Sequence, residues 1–168
     1  KSTIVKVLSG FISRDSGTVL FDGKPANVKT PADAIRSGVG MLHQDPLDFP
    51  PLTVLDNFMV GRGEVLSKGI FSGLKFVNPD RARREFLRLT ETFGFSLNPN
   101  SRVSDLTVGE RQQLEIIRLL SLGVKTLILD EPTTGISADQ KTALFNAARQ
   151  LASEGKSVIF VSHKLADV

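Results

Sequence analysis

Short apolar runs alternate with amphipathic segments along the chain, and this alternation predicts an α/β fold. The segments Thr126–Asp130 and Ser157–Val161 contain the unbroken apolar runs Leu127–Leu129 and Val158–Val161, as expected for strands of a parallel sheet that is covered by helices on both faces. A third strand is predicted over Val39–His43. Near the start of the chain, Val19–Phe21 has the alternation of a strand that enters a turn at Asp22-Gly23.

Helical patterns fill the remaining segments and dominate between residues 46 and 120. They are predicted over Ile4–Phe11, Pro31–Ser37, Thr53–Val60, Pro79–Phe93, from about Val108, and over Ala138–Ser153. The segment Gly61–Asn78 contains four glycines and predicts a loop. We therefore predict an α/β core over residues 1–46, a helical subdomain over 47–120 and a second part of the core over 121–168.

Composition narrows the class of protein. The chain has 168 residues, 40% of them hydrophobic, a net charge of +3 and no cysteine. This is enough apolar material for a core and too little charge for a disordered chain, and disulfides are excluded. The apolar runs fall far short of the roughly 20 residues that span a bilayer. Lysine and arginine are scattered, so no nucleic-acid surface is indicated.

Two carboxylates stand where ligands of open α/β sheets bind. Asp130 and Glu131 follow a buried strand directly, and this carboxyl edge is the usual ligand site. Asp130 could hold Mg²⁺, and Glu131 could orient or deprotonate an attacking water. His163 and Gln44 follow two other predicted strands and would lie on the same edge, where an imidazole could hydrogen-bond a terminal phosphate.

The chain opens with Lys1-Ser2-Thr3 at a helix start. A helix N-terminus offers free N–H groups to phosphate, the lysine can reach terminal phosphates, and the serine hydroxyl can ligate Mg²⁺. Taken alone, the tripeptide is a common polar helix start. A chain that begins at Lys1 and stops at Val168, just after a strand, is interpreted as an internal piece of a longer protein.

A second helix start carries Thr107-Val108-Gly109-Glu110. Thr107 as N-cap and Glu110 three residues later predict a capping box, worth about 1 kcal/mol. A capped N-terminus can also bind an anion, so both readings stay open.

Together these motifs resemble the ATP-binding subunit of ABC transporters. Lys1-Ser2-Thr3 resembles the end of the Walker A loop, Gln44 the Q-loop glutamine, and Leu106–Gln112 the signature sequence. Leu127–Thr133 resembles Walker B with its glutamate, and His163 the switch histidine. All five occur in family order. The signature variant, taken with Asp130–Ser137 and Ser162-His163-Lys164, is similar to that of simple sugar and nucleoside importers.

The resemblance implies a P-loop NTPase fold, truncated at both ends, that binds ATP and Mg²⁺. It assigns catalysis to Glu131, His163 and Gln44, and the metal to Ser2, Gln44 and Asp130. It also assigns nucleotide contacts to positions of the Walker A and signature motifs: Lys1, Ser2, Thr3, Thr107, Val108, Gly109 and Glu110. The partners implied are membrane-spanning permease subunits, a second ATPase domain and, indirectly, a solute-binding protein, at the cytoplasmic face of the inner membrane.

Alternatives stay open at this point. A DNA-repair or translation ATPase of the same superfamily is one, although residues 44–106 lack the heptads of an inserted coiled coil. A catalytically degenerate, regulatory half is another. Ser137 stands where many members have an aspartate, and with Gln140 it predicts a further capping box. The 168-residue piece alone is expected to bind ATP poorly and to be marginally folded.

Overall fold

A computed structural model describes residues 2–43, 48–60 and 78–163. Three predictions concern residues outside these ranges: the phosphate contact of Lys1, the Q-loop role of Gln44 and most of the Gly61–Asn78 loop.

The described residues form helices and strands in the predicted alternation. The helices are α1 (Ser2–Leu8), α2 (Pro31–Arg36), α3 (Val54–Val60), α4 (Pro79–Phe93), α5 (Val108–Ser121) and α6 (Ala138–Ser153). The strands are β1 (Val19–Phe21), β2 (Lys24–Ala26), β3 (Val39–Leu42), β4 (Thr126–Asp130) and β5 (Ser157–Val161). Among the described helices, none combines the length and apolar character needed to cross a membrane.

The strands fall into two sheets. β3, β4 and β5 form a parallel sheet with β4 in the centre, as the apolar runs predict. β1 and β2 form an antiparallel hairpin around Asp22-Gly23, where both residues have positive φ. This is the backbone of a tight hairpin turn. Sequence analysis missed β2, whose Lys-Pro-Ala sequence carries no apolar alternation.

The parallel sheet buries both faces. Leu42, Leu127 and Leu129 join a large apolar cluster with side chains of α3 to α6, whereas Met41 and Ile128 face a smaller cluster on the α1 and α2 side. Successive strand residues point to opposite faces, which produces this division. The helices between residues 46 and 120 thus share a continuous core with the sheet, and their separation as a subdomain stays a prediction.

Helix α1 is shorter than its apolar face predicts. It ends at Leu8 rather than Phe11, and Gly10 follows with a φ of +75°. A Cβ at Gly10 would lie 2.3 Å from the carbonyl oxygen of Thr30. The chain therefore turns away at a glycine because the backbones of the α1 end and the α2 start touch there.

Candidate active site

The parallel register brings the predicted strand-end residues to one edge. Leu42 stands opposite Leu129, and Asp130 opposite Val161, so all three strands end at the same level. His43 directly follows β3, and Glu131 directly follows β4. His163 comes second after β5, with Ser162 between them. The structure therefore places Asp130, Glu131 and His163 together, as the sequence predicts.

Glu131 and His163 are in direct contact. His163 Nε2 lies 2.6 Å from Glu131 Oε1, and the Glu131 backbone N–H donates to the Val161 carbonyl at 2.9 Å. Glu131 has a φ of +51°, a left-handed backbone conformation that is unusual for a residue with a side chain.

Asp130 is buried, with 9% of its surface exposed. Its Oδ1 finds no hydrogen-bond partner among the described residues. A buried carboxylate oxygen without a donor is expensive to maintain in a protein, unless a cation or a ligand satisfies it. Asp130 therefore offers one oxygen ligand to a divalent cation such as Mg²⁺, which prefers oxygen ligands. In the part of the chain that the structure describes, no group of three or more histidine or carboxylate side chains is arranged to hold a metal ion.

His43 was not predicted as a site residue. Its Nε2 is buried without a hydrogen-bond partner within the described ranges. Burial lowers the pKa of His43, the nearby Lys6 lowers it further, and the Asp130 charge acts in the opposite direction. Its position directly after β3 is the signal that could have added it to the strand-end set.

The start of α1 faces the same edge across an open cavity. A cavity of about 1210 Å³ is lined by Thr3 of α1 and by Ser162 and His163, together with apolar side chains of both elements. Ser2 is the first helical residue and is half-buried. The candidate phosphate-binding helix and the His163 strand end thus share one cavity.

The predicted capping box at α5 is present. Thr107 Oγ1 accepts from the Glu110 N–H at 3.3 Å, and Glu110 Oε2 accepts from the Thr107 N–H at 2.8 Å. Val108 is exposed, and Gly109 is buried beneath the side chain of Gln140. The box predicted for Ser137 and Gln140 at α6 is confirmed as well.

An ion pair between Arg111 and Asp48 also anchors the first turn of α5. Arg111 donates from Nε and Nη2 to the two carboxylate oxygens of Asp48, at 2.6 and 2.7 Å. The Asp48 side chain is only 6% exposed. Further along α5, Glu115 pairs with Arg118, and burial raises the pKa of Glu115. Sequence reasoning identified neither pair.

Comparison with known proteins identifies relatives over the full chain. The family model described as ABC transporter matches residues 1–134. A ribose import ATP-binding protein of Rubrobacter xylanophilus is 38% identical, and the nucleoside import ATP-binding protein NupA of Lactococcus lactis is 35% identical, each over 100% of this chain. The chain spans about a third (32%) of the length of both relatives.

Solved structures agree on the fold. The ADP conformation of MJ1267, an ATP-binding cassette of an ABC transporter, superposes with a TM-score of 0.80 at 26% identity. The match covers 100% of this chain and 67% of that one. A nucleotide-free cassette from an ABC transporter gives a TM-score of 0.78 at 23% identity, which supports the fold alone.

Proposed function

Because this chain belongs to the ABC transporter ATP-binding family, we propose that the full-length protein hydrolyses ATP to power an importer of a sugar or nucleoside. The observation that carries the proposal is the Glu131–His163 contact at the end of β4, beside the orphaned oxygen of Asp130. A base, a partner that holds it and a cation ligand are the groups that phosphoryl transfer to water requires.

Phosphate and metal binding are assigned to three elements. Lys1, Ser2 and Thr3 would cradle the phosphates at the start of α1, and Ser2, Gln44 and Asp130 would hold Mg²⁺. When bound, Mg²⁺ neutralises charge on the phosphate oxygens. The unpaired Asp130 oxygen supports its share of this role.

Glu131 orients the attacking water and accepts its proton. His163 contacts Oε1 of Glu131, which restricts the rotation of the carboxylate. With ATP bound, His163 would donate to a terminal phosphate oxygen instead, which would leave the Glu131 carboxylate available to the water. Gln44 contributes from the neighbouring strand end as a further water- or metal-orienting residue.

The assembly is also part of the proposal. Thr107 to Glu110 would close over ATP held by a second ATPase domain, because a capped helix start suits an anion. Gln44 and the helical segment near Pro46–Val60 would face membrane-spanning permease subunits at the cytoplasmic side, and a solute-binding protein would deliver the solute. The relatives named for ribose and nucleoside import favour this over a repair or translation ATPase.

The decisive experiment compares the full-length protein with its Glu131→Gln variant. We expect Mg²⁺-dependent ATP hydrolysis in the wild type and a loss of at least about 100-fold in the variant, with ATP binding retained, since a general base contributes roughly that much. Glu154→Gln, the same change at the exposed end of α6, is the matched control and should keep full activity. Undiminished hydrolysis by E131Q would refute the role of Glu131, and absence of hydrolysis by the wild type would favour a regulatory half.

A further inference from the structure

One side chain bridges the starts of α5 and α6. Gln140 Nε2 donates to Thr107 Oγ1 at 2.8 Å, and Gln140 Oε1 accepts from the Ser137 N–H at 3.0 Å. The amide therefore caps its own helix with its oxygen and reaches the neighbouring helix with its nitrogen. The two halves of this bridge are separated by 33 residues in sequence.

The bridge determines which hydrogen-bonding role the Thr107 hydroxyl can play. Its oxygen accepts from Gln140 Nε2 and from the Glu110 N–H, while its proton is donated to Glu110 Oε2 at 2.7 Å. A hydroxyl has one proton and two lone pairs. With both lone pairs occupied by donors, the proton is the one group that Thr107 can offer to a ligand.

Packing at Gly109 is consistent with this placement of the Gln140 amide. A Cβ at this buried position would lie 2.4 Å from Cδ and 2.5 Å from Oε1 of Gln140. The amide thus lies directly against the Gly109 backbone, and a side chain there would push it away from Thr107. The close approach needs glycine at 109 and a long polar side chain at 140.

We propose that Gln140 is a positioning residue, which holds the Thr107 hydroxyl as a donor toward phosphate and ties the start of α5 to the connection that follows Glu131. The inference rests on the proposed function, in which Thr107 serves ATP on a second domain and Glu131 serves ATP on its own. The bridge therefore links two nucleotide sites through one chain. When a phosphate oxygen replaces the Glu110 carboxylate as acceptor, the hydroxyl keeps both incoming donors.

The substitution Gln140→Glu distinguishes the hydrogen bond that caps α6 from the hydrogen bond to Thr107. Gln140→Glu keeps the capping box, because glutamate also serves at this helix position, but a carboxylate cannot donate to Thr107 Oγ1. In the full-length protein we expect the KM for ATP to rise at least about fivefold, the size of one neutral hydrogen bond, since the new carboxylate also repels phosphate. Gln150→Glu, the same change farther along α6, is the matched control and should leave the KM unchanged.

A double-mutant cycle tests whether Gln140 acts through the hydroxyl. The variants are built on E131Q, so that the half-saturating ATP concentration reports binding without turnover, and circular dichroism verifies folding. Q140E should weaken ATP binding about fivefold more with Thr107, or after Thr107→Ser, than after Thr107→Val, where only the added negative charge acts. An unchanged ATP affinity in Q140E, or an equal effect in both backgrounds, would overturn the inference while ATP hydrolysis by the wild type upholds the proposed function. Absence of ATP binding by E131Q itself would overturn both.

Discussion

His163 Nε2 and Glu131 Oε1 lie 2.6 Å apart, although their strands are separated in sequence by the whole of α6. The register of β4 against β5 sets this distance, because Asp130 stands opposite Val161. Glu131 is 26% exposed and His163 is 68% exposed, so the imidazole is the more accessible partner. His163 is therefore the member of the pair that we expect to contact a bound phosphate.

Replacement of this imidazole should impair turnover more than binding. For His163→Ala we expect kcat for ATP hydrolysis to fall about 100-fold, because the Glu131 carboxylate loses the group that restricts it. ATP affinity should fall less, by about tenfold, since one hydrogen bond to a charged phosphate is lost while the phosphate contacts of α1 are untouched. Steady-state hydrolysis and equilibrium nucleotide titration of the full-length protein measure the two quantities.

Lys156→Ala provides the control for that experiment. Lys156 precedes β5 at the opposite end of the strand, and its ammonium pairs with Glu154 at 3.1 Å. Its removal should leave kcat within about twofold, as surface ion pairs contribute little. If H163A retains wild-type kcat, the imidazole has no part in the chemistry.

The ion pair of Asp48 with Arg111 should contribute strongly to stability. Asp48→Asn removes the charge from a nearly buried partner of a two-point pair and leaves Arg111 without its carboxylate. Because Arg111 is itself 31% exposed, we expect a loss of about 2 kcal/mol in the free energy of unfolding, below the range for fully buried pairs. Urea denaturation of the purified protein measures the difference.

Asp22→Asn is a matched comparison for Asp48→Asn. Asp22 pairs with Lys125 at 3.3 Å, but both side chains are about three-quarters exposed, at 77% and 75%. Its loss should change stability by less than about 0.5 kcal/mol. Equal effects of D22N and D48N would show that burial does not set the strength of the Asp48 pair.

His43 should make the fold sensitive to mild acid. Its folded pKa lies below the ordinary value of 6.5, chiefly because burial disfavours the charged imidazole. As pH falls through 6.5, the unfolded chain takes up a proton that the folded chain resists, so stability is lost in that direction. The thermal midpoint of the wild type should therefore drop between about pH 7.5 and 5.5.

The substitution His43→Asn removes this titration. The thermal midpoint of the variant should therefore fall less between about pH 7.5 and 5.5 than that of the wild type. His163 remains in the variant as the second of the two histidines, so the difference between the curves isolates His43. Glu115 is also constant in the comparison, and its raised pKa acts with the opposite sign, because its stabilising contribution declines as pH rises. Parallel pH profiles of H43N and wild type would contradict the assigned cause.

Features that depend on local sequence were predictable. The strands β4 and β5 follow from apolar runs, and their ends place Asp130 and His163 on one edge. The capping boxes at Thr107 and Ser137 follow from a three-residue spacing that a helix start requires. In each case the determining interaction lies within a few residues, so the pattern is visible in the sequence.

Features that join distant segments of the chain could not be predicted from the sequence. Asp48 and Arg111 are 63 residues apart, and nothing near either one marks the partner. The Gln140 bridge to Thr107 has the same origin, although its capping half was predicted. The left-handed backbone of Glu131 also has no sequence signal, since glutamate gives no preference for positive φ.

That backbone conformation puts activity and stability in opposition at a single position. A φ of +51° costs a side-chain-bearing residue about 1 kcal/mol relative to glycine, and Asp130 beside it keeps an oxygen that has no hydrogen-bond partner among the described residues. Glycine at 131 would relieve the strain and delete the carboxylate. The Glu131→Gly substitution would therefore stabilise the turn and abolish the proposed turnover, so the gain in stability and the loss of activity come from the same side chain.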